Sequence, residues 1–245
     1  MSLSSNSIIH FTNSKEALKG ILGNNFKLSY CSELLSLNDT TINFAAPMVS
    51  FCDIPLSQVK NHITKYGAYG IGLTKKWAEK QKLNPVFYIE KHSTLAQRYV
   101  NIYIEYIINS KKSIFDLDEK EKSIVDILRY MKNYQNDLIR GGNIYKDYRF
   151  SDEREWRYVL DYNAVTQFIY SLDEHYNKET ANKEIDEYRL EFEPNDIKYV
   201  IIQNESEIPE FLDLFRTTKG KKYSYHDVER LMTRIITTEQ IVEDF

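Results

Sequence analysis

Alternation and helical spacing of apolar positions divide the chain into β-rich ends around a helical middle. Residues 7–11 (SIIHF) predict a short strand. Asn13 or Ser14 is placed to cap a helix whose apolar side is Ala17, Leu18, Ile21 and Leu22, and Gly23 ends it. Residues 26–31 alternate and predict a second strand, whereas 32–46 are polar and irregular and predict a surface loop. The run 48–52 (MVSFC), bounded by Pro47 and Pro55, predicts a strand. Pro55 stands at a helix start with Val59, Ile63 and Tyr66 on its apolar side, and Asp53 is placed to cap it. Gly67, Gly70 and Gly72 break that helix and lead into a strand over 69–74. A short helix around Trp77 and a β-rich run over 86–89 follow.

The middle differs. Over 93–140 the pattern is helical: Leu95, Tyr99, Ile102, Ile104 and Ile107, then Ile124, Ile127, Leu128, Met131 and Leu138. Two helices fit, separated by a turn at 116–119 and closed by Gly141 and Gly142. Residues 164–187 read as helix or partly loop, 188–192 and 198–203 as the last strands, and 208–215 and 225–236 as helices. The expected class is α+β, with a mixed, mostly antiparallel (split) sheet, short helices and an inserted helical pair at about 93–140. One domain spanning 1–245 is expected, and no internal repeat is visible.

Composition narrows the function classes. Apolar residues at 42% and charged residues at 28% suit a folded globular chain. A net charge of −4 gives no global case for nucleic-acid binding. Nineteen tyrosines against eight glycines is a skew that suits strands and semi-polar pockets, or a codon bias shared with Asn, Lys and Ile. Cys31 and Cys52 form no disulfide framework, the N-terminus lacks an export signal, and no apolar run reaches a membrane-span length. A cytoplasmic protein is expected. His10, His62, His92, His175 and His226 contain no pair at metal-motif spacing, so no metal site is expected. No phosphate-binding loop occurs either.

Two short segments carry chemistry. In 151–159 (SDEREWRYV), strand alternation would put Glu153, Glu155 and Arg157 on one face and Arg154, Trp156 and Tyr158 on the other. Carboxylates and a guanidinium in one row suit either a polar cleft or a solvated edge strand. In His10-Phe11-Thr12, the ring and the hydroxyl would share a face about 7 Å apart by the strand rise. Such a pair can hold ribose hydroxyls, or be structural.

Taken together, His10-Phe-Thr12, 47–57 (PMVSFCDIPLS), His62, 66–75 (YGAYGIGLTK), Trp77, 84–86 (NPV) and 152–159 (DEREWRYV) resemble the AbiGi family. The resemblance spans residues 8 to about 203. It implies a bacterial abortive-infection protein in anti-phage defence, often labelled the antitoxin of a two-gene system. A more distant likeness, to ADP-ribosyltransferase-like domains, implies NAD as a substrate. By that likeness His10 and Thr12 would bind NAD with Arg157 nearby, Tyr66 or Tyr69 would stack on nicotinamide, and Glu155 would be catalytic with Glu153 beside it. The late carboxylate would stabilise the oxocarbenium-like ribose, and a phage or host macromolecule would be the acceptor. The alternative implied is a non-catalytic antitoxin or interaction module that binds a partner toxin encoded nearby.

Overall fold

A computed structural model describes residues 5–140, 142–165, 167–172, 176–220 and 222–244. Gly141 and His175, named above, lie outside these. The class is α+β, with mostly antiparallel strand pairing. The chain forms two compact units, one from 1–27, 50–83 and 189–245, the other from 28–49 and 84–188.

The first unit is built on the Ser7–Thr12 strand, which pairs antiparallel with Tyr69–Thr74 from Ser7↔Thr74 to Thr12↔Tyr69. Ile197–Ile202 lies antiparallel on the far side of Tyr69–Thr74, and Ile235–Thr237 adds a parallel edge. Ile9↔Cys52 pairs the other edge with the end of Thr40–Cys52. Gly67 is required here. Its φ is 115°, and a Cβ would sit 2.3 Å from the Thr12 carbonyl oxygen. One face of Ser7–Thr12 sends Ile9 and Phe11 into a core with Cys52, Ile63, Ile201 and Ile241. The Lys15–Asn24 helix starts where predicted, its cap Ser14 accepting from the Ala17 N–H at 3.0 Å. Asp53 caps no helix. It accepts from the Ser5 N–H and pairs with Lys75 at 2.7 Å. Beyond Phe192 the expected elements appear as Ile197–Ile202, Ile208–Thr218 and Tyr225–Met232, and Ile235 and Ile236, the end of the stretch read as helix, belong to the strand Ile235–Thr237.

The second unit departs most from expectation. Residues 32–46 form no loop. Ser29–Leu37 and Thr40–Cys52 are a continuous antiparallel hairpin with register from Ser29↔Met48 to Leu37↔Thr40. Its turn begins with Asn38 at φ 52°, a conformation that asparagine tolerates better than most residues. Thr94–Tyr103 is helical and continues as a π-helical turn over Ile104–Ile108. Glu119–Arg129 is the second helix, opened by a capping box in which Asp118 and Glu121 exchange hydrogen bonds with each other's backbone. The helical middle stops there. Met131–Asn133 pairs parallel with Phe87–Ile89, and Gln135–Arg140 with Asn143–Arg149 forms an antiparallel hairpin. Met131 and Leu138 fit the helical spacing by coincidence, and strand pairing overrides it. Of 164–187, Tyr170–Ser171 is a short strand and Lys178–Glu184 a helix.

Candidate functional site

The acidic segment begins as a 3-10 turn over Phe150–Glu153, not as a strand. Arg154 then takes a left-handed conformation, φ 46° and ψ 52°, and the strand runs Glu155–Val159. Glu155, Arg157 and Val159 point inward, while Trp156 and Tyr158 are half-buried. Glu153 therefore does not share a strand face with Glu155 and Arg157, as alternation predicted, because the left-handed residue breaks the alternation. The three side chains converge nonetheless, by way of a lysine that the sequence reading placed in a helix.

That lysine is Lys132. Its Nζ lies 2.7 Å from Glu155 Oε2, 3.4 Å from Glu153 Oε2 and 4.8 Å above the Phe150 ring. Arg157 is fully buried, and its Nε donates to Glu155 Oε1 at 2.6 Å. Its Nη2 donates to Glu33 at 2.7 Å and its Nη1 to the Arg129 carbonyl at 2.8 Å. Tyr148 donates to Glu153 at 3.0 Å, and the Glu155 N–H donates to the Tyr88 hydroxyl at 2.7 Å. Three carboxylates thus meet two cations, each cation shared between at least two acids. A solvated edge strand does not describe this arrangement, because Glu153, Glu155 and Arg157 are buried.

Burial alone would push the Glu155 carboxyl up, but Arg157 and Lys132 outweigh it and hold the group well below the usual carboxylate range. Burial likewise opposes the charge on Lys132 and on Arg157. The facing carboxylates, Glu155 foremost, more than offset that and hold both pKa values above their ordinary values. Glu155, Lys132 and Arg157 are therefore charged at neutral pH. Cys31 in the same unit is pushed up to about 11 by burial, so its thiol is not poised as a nucleophile.

The proposed NAD-binding residues other than Arg157 lie in the first unit. His10 and Thr12 share one face of Ser7–Thr12, both partly exposed. His10 Nδ1 is 2.8 Å from the Ser50 carbonyl oxygen, and its ring meets Phe26 and Phe51 edge-on at 5.3 and 5.7 Å. Tyr69 lies directly across from Thr12, on that same face. Its hydroxyl donates to Glu207 at 2.8 Å, and burial together with that carboxylate pushes its pKa up to about 12. Tyr66 ends the Lys60–Tyr66 helix, stacks on His62 at 4.1 Å and packs with the Ile9 and Phe11 side. It therefore belongs to the opposite face from His10 and Thr12. Glu153, Glu155 and Arg157 lie in the second unit.

Sequence reasoning missed Lys132, Glu33, Tyr88 and Tyr148. Glu33 fell in a segment read as loop, although Leu35 and Leu37, two and four residues on, are buried on its own face of the strand. Among the described residues no group of histidine, cysteine or acidic side chains is arranged to hold a metal.

A family model described as "Putative abortive phage resistance protein AbiGi, antitoxin" matches residues 24–203, which include both hairpin strands and the whole charge cluster. The chain belongs to the AbiGi family. An AbiGi relative from Lactococcus lactis subsp. cremoris, named "Abortive phage resistance protein AbiGi", is 25% identical over 221 residues, covering 81% of this chain and 88% of its own. No solved structure matches the chain. No helix among the described residues is long and apolar enough to cross a membrane.

Proposed function

We propose that this AbiGi protein is a non-catalytic, antitoxin-type module of a cytoplasmic abortive phage-defence system, binding a partner toxin through its second unit. One observation carries the reading: the residues with the most chemistry are locked in mutual ion pairs, while large apolar side chains stay outside. Leu95 is 67% exposed and Ile102 44%, seven residues apart on one stripe of Thr94–Tyr103, and Tyr106 extends the stripe. Ala96, Tyr99 and Val100 fill the inward side instead. Exposed apolar stripes of this kind mark protein-binding surfaces. The family description, which carries the word antitoxin, supports the same reading. Co-expression with the adjacent gene product tests it. Leu95→Asp with Ile102→Asp is expected to abolish co-purification while leaving the melting temperature within about 2 °C. Wild-type protein that fails to associate overturns the reading.

A second reading is NAD use, favoured by His10, Thr12 and Tyr69 sharing one face. There His10, Thr12 and Tyr69 would hold NAD from that face of the first unit. It predicts nicotinamide release from NAD that disappears in His10→Ala. Absence of release, with and without phage lysate, removes it.

A further inference from the structure

The second unit contains a pocket of about 390 Å³ that neither reading uses. Apart from Tyr103, its helical wall is aliphatic: Ile104, Ile107 and Ile108 from the π-helical turn, Ile114 and Leu117 from the connection, and Val125 from the second helix. Its strand wall sets Ile42 and Phe44 beside hydroxyl and amide groups from Thr40, Thr41, Asn43 and Ser171. Those polar residues come from adjacent strands, because Ser171 pairs directly with Phe44. Leu117, Val125 and Phe44 are buried and form the closed end, whereas Ile104 and Ile108 are exposed at the mouth.

The wall is made by an unusual backbone. A π-helical turn is rare and less favourable than α-helix, and is found disproportionately at functional sites. Here it projects three isoleucines from five residues into one concavity. Volume then sets the occupant's size. An aliphatic cavity of roughly 150 Å³ takes a benzene ring, so this one takes a body roughly two to three times larger. The volume also falls within the small-molecule range of about 300–1,000 Å³. Charge sets the head group. Lys112 is the one charged residue among the described lining, and its Nζ is already held by both Glu121 oxygens, at 2.7 and 2.9 Å. An anionic head would have to compete with that carboxylate, while the strand wall offers hydroxyls and amides.

We infer that this pocket binds a small molecule with a medium-length aliphatic body and an uncharged hydrogen-bonding head, such as an alcohol, amide or ester. The inference stands apart from the partner-binding stripe, because Leu95, Ile102 and Tyr106 do not line the pocket. Titration of the full-length protein with the uncharged fluorophore N-phenyl-1-naphthylamine as reporter, followed by displacement with n-octanol or octanoate, tests it. Saturable single-site binding is expected, displaced by octanol at concentrations at least threefold lower than octanoate. Ile107→Trp, and Ile104→Trp at the more tolerant mouth, are expected to weaken octanol at least tenfold with unchanged circular dichroism. Ile139→Ser on the remote hairpin should leave it unchanged. Absent saturable binding, or binding that survives both tryptophan substitutions, overturns the site. Stronger displacement by octanoate overturns the uncharged head. Loss of partner co-purification bears on neither result.

Discussion

At the scale of single residues, the cluster around Glu155 decides how the second unit responds to substitution and to acid. Removing one member of a buried ion network strands its partners and typically costs roughly 3–5 kcal/mol. Glu155→Gln keeps the shape but strips the shared charge from Arg157 Nε and Lys132 Nζ, so a loss of about that size is expected in urea unfolding. The pH dependence follows from the depressed carboxyl. In the unfolded chain Glu155 titrates near the ordinary glutamate value of 4.5, and in the folded chain well below it. Its contribution is therefore complete above about pH 4.5 and is lost as pH falls below that toward the folded value. Wild-type stability should decline between pH 5 and pH 3 more steeply than that of Glu155→Gln. Equal slopes would show that Glu155 titrates normally in the folded protein. Half of this was legible beforehand: alternation paired Glu155 with Arg157, but nothing in the local sequence announced that Arg154 turns left-handed, or that Lys132 arrives from a distant strand.

At the scale of elements, the sequence yielded whatever was locally determined. The Ser14 cap, the Tyr69–Thr74 strand and the helix around Trp77 follow from spacing and capping chemistry, and all are present. The Ser29–Leu37 strand failed because charged Glu33 sits on the face of Leu35 and Leu37 while apolar Leu34 is exposed, and because side chains, not strands, meet parts of its free edge. Asn133 Oδ1 accepts the Ser36 N–H at 2.9 Å, and its Nδ2 donates to the Ser36 carbonyl at 2.7 Å, so one amide imitates a neighbouring strand. Asn182 does half of the same for the Tyr30 N–H at 2.8 Å. Such pairing blunts an edge that would otherwise invite another chain. Asn133 is buried, so Asn133→Ala leaves two backbone groups of Ser36 unpaired, with a cost of roughly 1–3 kcal/mol. Urea denaturation should show that loss, and faster hydrogen exchange at Ser36 should accompany it. Asn133→Asp, which can accept but not donate, should recover protection at the Ser36 N–H alone.

At the scale of the whole chain, sequence reading fails for a topological reason. The first unit is assembled from three separate stretches, and its sheet passes from residues 7–12 to 69–74 to 197–202 and then to 235–237. Each pairing closes a long loop, and local pattern carries no record of which strand neighbours which. The family match over 24–203 likewise leaves out most of the last segment. That segment is nonetheless part of the first unit's core: Ile201 and Ile241 pack against Ile9 and Phe11. The indole N–H of buried Trp77 donates to the Glu191 carbonyl at 2.9 Å. The two tryptophans report the units separately, Trp77 in the first and Trp156 in the second. Deleting 189–245 in a Trp156→Phe background should therefore uncover Trp77, shifting its emission to the red and abolishing a cooperative unfolding transition. The full-length Trp156→Phe protein should emit from a buried indole and unfold cooperatively. A truncated chain that keeps the blue emission would mean that residues 5–83 form their sheet without the Ile197–Ile202 strand. The antiparallel contact along Tyr69–Thr74 would then be dispensable to a core built around it.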